Sequence, residues 1–186
     1  MASTADKKFQ GAVYNPAYPG ELEAVFRSDF SEADLLGQLL PVLGDLLKCE
    51  SCFLYLRHPH QNLYRVTHTW RAAEHFPVPV QGDWHEERSN YQASPLLGAA
   101  LDAKHSVFIN SVEQTYPQLK QNDPLMQGEK AIAQGHIIKN DRLWGILRAC
   151  TFQRPRAWMQ FDRSLIMHST QRLLPSVMNY VEENCV

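Results

Sequence analysis

Four cysteines and eight histidines are the residues of this chain whose chemistry could reach beyond packing. Cys49-Glu50-Ser51-Cys52 has the spacing of half a zinc knuckle or of a dithiol redox motif. Zinc would need two further ligands, and no second close cysteine pair exists. His58 and His60 fall across the following hairpin, too far along the strand to converge on the pair. A redox dithiol needs a helix N-terminus, where the dipole stabilises thiolate. This pair follows a helix C-terminus, where the dipole acts in the opposite sense. Buried structural thiols are therefore the favoured reading. A thiol-redox sensor or enzyme using Cys49 and Cys52 is kept as an alternative.

Among the histidines, His68 and His136 fall on strands and His85 on a loop, and any of them could ligate haem iron. A histidine among apolar neighbours is more commonly a hydrogen-bonded core residue. No Ser–His–Asp spacing, phosphate-cradling glycine loop or paired-carboxylate motif is present. Asp83, Glu86 and Glu87 read as a solvated acidic cluster. The expectation is a chain with no catalytic residues and no metal site.

The elements that must position these residues belong to one domain. At 186 residues the chain can bury a full core, and 44% apolar with 20% charged content is that of a globular protein. Its 18 basic and 20 acidic residues set up no field that would draw nucleic acid or anionic lipid. The N-terminus MASTADKKFQ lacks the apolar core of a signal peptide, so a cytoplasmic location is expected, with free thiols.

Residues 1–19 read as a polar N-terminal tail, broken by Pro16 and Pro19, and 20–186 as the domain. A short helix follows Gly20. A second opens at Ser31, with a capping box to Asp34 and a stripe of Leu35, Leu36, Leu39, Leu40, Leu43, Leu46 and Leu47. Pro41 should kink or divide it. Strands at 52–56 and 64–71 form a hairpin, with Tyr64, Val66, His68 and Trp70 alternating as one inward face. An irregular stretch, 72–93, is read as a lid. A helix opens at Ser94-Pro95, a strand covers 106–110, and 116–128 is again irregular. Strands at 131–138 and 143–152 flank the turn Lys139-Asn140-Asp141-Arg142. The last helix spans about 161–183, with Leu165, Ser169, Leu173, Val177 and Tyr180 on one face and Pro175 interrupting it. This order predicts an α+β fold: a central antiparallel sheet with helices from both chain ends packed on one face.

The closing segment, AIAQGHIIKNDRLWGILRACTFQRPRAWMQFDRSLIMH, resembles the second half of a GAF domain. It has a polar hairpin turn, a strand reading W-G-I-L, then R-x-W and a D-x-x-L-I helix start. The phrasing is closest to cyanobacterial phytochrome-like and cyanobacteriochrome-like members, and the element order agrees over roughly 20–183. The resemblance implies a ligand-holding or dimerising sensor rather than an enzyme. Bilin-binding relatives attach their chromophore through a cysteine followed by histidine before the penultimate strand. Here that region reads QTYPQLKQNDPLMQGEKAIAQG and offers neither, so covalent bilin is not expected and a non-covalent tetrapyrrole remains open. Free methionine-(R)-sulfoxide reductases share the fold but need cysteines in the loops over the pocket. Residues 72–93 and 111–130 contain none.

By the same resemblance a small ligand would be lined by Trp84, His85, Tyr91, Phe108, Asn110, Tyr116 and His136. The reading that results is a stand-alone, non-catalytic regulatory domain. It would bind a small molecule, a protein partner or both, as a homodimer through its terminal helices, whose apolar stripes exceed what one sheet face requires. The alternative is a ligand-free assembly protein of the same fold in a larger complex.

Overall fold

The structure is a computed structural model that describes residues 18–87, 94–117 and 123–185. Helices α1 (Gly20–Arg27) and α2 (Glu32–Leu47) lead into the hairpin β1 (Ser51–His58) and β2 (Leu63–Arg71). Then come β3 (His85–Glu86), α3 (Pro95–Leu101), β4 (Val107–Ile109) and α4 (Val112–Thr115). The hairpin β5 (Ala131–Lys139) and β6 (Arg142–Thr151) precedes the long α5 (Gln160–Asn184). The six strands form one antiparallel sheet in the order β3-β2-β1-β6-β5-β4. The short elements β3 and α4 lie in stretches whose sequence carries no periodic signal.

Both faces of the sheet are covered, which is why β1 and β6 read as nearly continuous apolar runs rather than alternating ones. On the first face α1, α2 and α5 bury Leu36, Leu43, Leu47, Leu173 and Val177 against Cys52, Leu54, Leu56, Leu147 and Ala149. The expected layout, with helices from both chain ends on one side, is what the chain adopts. On the second face Leu96, Leu97, Ala100, Val112 and Leu125 pack on Phe53, Tyr55, Val66, Ile132, Ile146 and Cys150. The β5–β6 connection is a two-residue hairpin in which Asn140 and Asp141 take φ of 51° and 57°, as a tight primed turn requires.

Several expectations are corrected. Pro41 and Pro175 sit inside α2 and α5 without dividing them. Each removes only the bond to the carbonyl four residues earlier, and packing of the rest of the helix outweighs that loss. The capping box at Ser31 is half formed. Its hydroxyl accepts from the Asp34 N–H, but the Asp34 carboxylate accepts from that same hydroxyl instead of reaching the Ser31 backbone. The single aromatic face of β2 does not exist. Register runs Leu54 to His68 and then Tyr55 to Val66, so Thr67 bulges, and a bulge reverses which side later residues face. Tyr64 and Val66 pack on the second face, whereas Trp70 turns to the helices and His68 meets Tyr180 edge-on at 5.5 Å.

The apolar stripes of α2 and α5 are largely buried within one chain. Leu35, Leu36, Leu39, Leu40, Leu43 and Leu47 are buried, as are Leu165, Ser169, Leu173, Val177 and Tyr180. Much of that apolar surface is buried because these helices pack on each other as well as on the sheet, while Leu46 stays half-buried. Trp70 lies so close to α2 that a Cβ at Gly44 would sit 2.1 Å from its ring.

Candidate functional site

The Cys49 and Cys52 sulfurs lie 3.2 Å apart and are buried. Cys49 follows Lys48, whose φ of 51° ends α2, and Cys52 sits in the first-face core on β1. Shared hydrogen bonding with Cys49, and then burial, pushes the Cys52 thiol well up. Cys150 is raised well up chiefly by burial, with Glu129 adding to it. None of these thiols is arranged as a nucleophile. Among the described residues no group of three or more histidine, cysteine or carboxylate side chains is placed to hold a metal. His60 instead accepts from Arg142 at 2.8 Å and packs with His58 and Trp144.

The charged centre of the molecule is on the second face. Arg148 projects from the middle of β6 with no solvent exposure, and its Nη2 donates to Asp123 Oδ2 at 3.0 Å. Nε and Nη2 also donate to Gln134 Oε1 on the neighbouring strand, at 3.0 and 2.6 Å. Its guanidinium lies over the Phe53 ring, 5.5 Å from the centroid. Nη1 is buried and has no hydrogen-bond partner among the described residues.

Arg148 also determines the direction of a longer chain. A guanidinium has donors only, so the oxygen of the Gln134 amide must face it. The Gln134 nitrogen therefore donates to the Leu96 carbonyl at 3.0 Å and to His136 Nε2 at 2.9 Å. His136 must then carry its proton on Nδ1, which donates to the Lys104 carbonyl at 2.8 Å. Burial lowers the His136 pKa and Arg148 adds to the effect, against the pull of the Lys104 carbonyl. Glu129 sits beside this group. Burial raises its carboxyl pKa, partly offset by Arg148, and the Gln127 N–H donates to it at 2.7 Å.

The expected ligand-lining residues are not gathered in one place. His136 and Tyr116 belong to the second face. Trp84 packs with the first-face core, and its Nε1 donates to the Asn184 carbonyl. Phe108 also packs on that core, under the Arg163 guanidinium. Asn110 closes a loop, accepting from the Trp158 and Arg156 N–H groups. His85 is exposed on β3, near Tyr64, and Tyr91 lies outside the described residues. Arg148, Asp123, Gln134 and Glu129 went unnoticed in the sequence. The available signal was parity: Ile146, Arg148 and Cys150 share one side of β6, as Ile132, Gln134 and His136 do on β5.

His136 also reaches a cleft of about 430 Å3 at the sheet edge, between α5 and the turn 103–106. No helix of the described residues is long and apolar enough to cross a membrane.

No family model matches the chain, and no curated protein matches it. Solved structures do. The GAF domain of an Acinetobacter phosphoenolpyruvate-protein phosphotransferase superposes with a TM-score of 0.68 at 13% identity, covering 88% of this chain and 93% of that one. The PixJ GAF domain of Thermosynechococcus elongatus, in its blue-light-absorbing form, gives 0.56 at 17%, covering 89% and 92%. Free methionine-R-sulfoxide reductase from Neisseria meningitidis, with its substrate, gives 0.64 at 11%, covering 87% of each chain. At these identities the likeness shows the fold, and that fold is the GAF fold.

Proposed function

We propose that this GAF-fold chain is a non-catalytic regulatory domain that holds a small molecule on the second face of its sheet, against Arg148. The observation that carries this reading is the buried Nη1, a charged donor with no protein acceptor among the described residues. An orphaned buried donor costs free energy, and a ligand oxygen would recover it. Asp123 and Gln134 hold the guanidinium in place, so the remaining N–H vectors are preorganised and a ligand need not order them. A non-covalent tetrapyrrole is one molecule with suitable oxygens. Thioether attachment is disfavoured on this face, because its cysteine, Cys150, is fully buried beside Glu129.

Two features support the absence of catalysis: the buried, high-pKa thiols and the loop stretches without cysteine. The domain would act in the cytoplasm and pass its signal to a protein partner or a second copy. The start of its last helix, where Met159 and Phe161 are exposed, is the candidate contact. The test is thermal melting against a panel of carboxylate, phosphate and tetrapyrrole compounds, for the natural chain and Arg148→Met. A compound that raises the melting temperature of the first and not the second supports the reading. A panel with no response in either counts against it.

A second reading, a ligand-free assembly protein, is favoured by one observation. Asp123 already neutralises Arg148, which a structural plug would also require. A filled face and a partner bound through the terminal helices would follow from it.

A further inference from the structure

A cleft lies where β4 begins. That edge strand spans only Val107–Ile109 and pairs with Ile132–Gln134, while β5 continues to Lys139. The turn 103–106 then bends along the uncovered edge and is tied to it twice. The Lys104 carbonyl accepts from the His136 ring, and Ser106 Oγ accepts from the His136 backbone N–H at 3.4 Å. Between this turn and α5 the edge is left open as the cleft of about 430 Å3, within the range of small-molecule sites.

Its two walls differ in chemistry. On α5, Met167 and Leu174 are the apolar members and flank Thr170 and Gln171, while Ile138 lines the cleft from the strand edge; Met167 is 46% exposed, although it sits mid-helix. On the other wall, Lys104 brings an ammonium, His105 an imidazole and Ser106 a hydroxyl that also accepts from the His136 N–H. Among the described residues no carboxylate lines the cleft, in a chain with more acidic than basic residues. The Lys104 ammonium pairs with Asp102, 3.1 Å away, in an exposed pair that water screens and an incoming anion can displace.

We infer that this cleft is a binding site, distinct from the Arg148 face, for a small amphipathic carboxylate. The aliphatic body lies on Ile138, Met167 and Leu174. The carboxylate faces the Lys104–Ser106 turn. Burial of the exposed Met167 and of the open side of half-buried Leu174 supplies the affinity, and the charge supplies selectivity against neutral molecules of the same shape.

The test is a titration of the full chain with sodium octanoate and, separately, octan-1-ol, followed by backbone amide chemical shifts. Octanoate is expected to move Ser106, Ile138, Thr170 and Gln171 saturably. Lys104→Glu, at an exposed position that does not threaten the fold, is expected to weaken octanoate roughly five-fold and leave octan-1-ol unchanged. Leu174→Glu is expected to abolish both. No saturation, saturation mapped away from these residues, or equal octanoate affinity in Lys104→Glu would overturn the proposal. A ligand of the Arg148 face moves Phe53, on the far side of Arg148 from the cleft, and leaves Thr170 and Gln171 unmoved, so the two sites fail independently.

Discussion

Arg148 Nη2 and Asp123 Oδ2 lie 3.0 Å apart with neither side chain exposed, at the centre of the second sheet face. A buried ion pair contributes little net stability, because desolvating two charges offsets their attraction, but breaking it strands one charge in the interior. Asp123→Ala is therefore expected to cost about 3–5 kcal/mol, measured by urea unfolding. The double variant Asp123→Leu with Arg148→Met removes both charges and should be clearly more stable than Asp123→Ala. Equal losses in the two would mean that the pair is not coupled.

The hydrogen-bond chain from Arg148 through Gln134 requires neutral His136 with its proton on Nδ1. Nitrogen-15 imidazole shifts should show that tautomer at neutral pH, and a protonated or Nε2–H ring would refute the chain.

Burial lowers the folded pKa of both His136 and His68. As pH falls through about 6.5, the unfolded chain takes up these protons before the folded one does. Stability from the two histidines should therefore decline from about pH 6.5 down to their folded values and then level off. Glu129 acts in the opposite sense. Its folded pKa is raised, so its contribution is full below about 4.3 and is lost as pH rises through the folded value. Urea unfolding across this range should show a steeper acid-side decline in Glu129→Gln than in the natural chain. An unchanged profile would contradict the assignment.

Gly44 lets α2 approach Trp70 within the space of a side chain, whereas among the described residues nothing lies within 4 Å of a Cβ at Gly20. Gly44→Ala should destabilise by about 1–3 kcal/mol through overpacking. Gly20→Ala, at the open start of α1, should be neutral or stabilise by up to about 1 kcal/mol. Thermal unfolding of the two variants separates close packing from helix propensity.

Cys49, Cys52 and Cys150 are expected to resist a thiol reagent in the native protein and to react on unfolding. Rapid stoichiometric labelling of Cys52 at neutral pH would revive the thiol-redox alternative.

What was legible in the sequence is local. The Asn140-Asp141 turn, the Leu stripe of α2 and the paired strands around them are written in short-range chemistry, and the fold follows from their order. The bulge at Thr67 has no local signature, so alternation alone assigns one face to four residues that the bulge divides, Tyr64 and Val66 to one side of the sheet and His68 and Trp70 to the other. The site was harder still. Arg148 meets Asp123 across 25 positions and Gln134 across 14, and apolar periodicity says nothing about which polar residue answers an inward arginine. Of the aromatics expected to line a pocket, Trp84 and Phe108 pack on one face and Tyr116 on the other, because aromatic content marks burial and not location.

The central claim is that the second face holds a small molecule at Arg148. The most direct measurement is native mass spectrometry with an absorption spectrum, on protein purified from cells making haem and bilins, for the natural chain and Arg148→Met. The account predicts a non-covalent mass increment in the natural chain that disappears in the variant and is released on denaturation. A colourless protein at its unliganded mass, or an increment that survives in Arg148→Met, would contradict it.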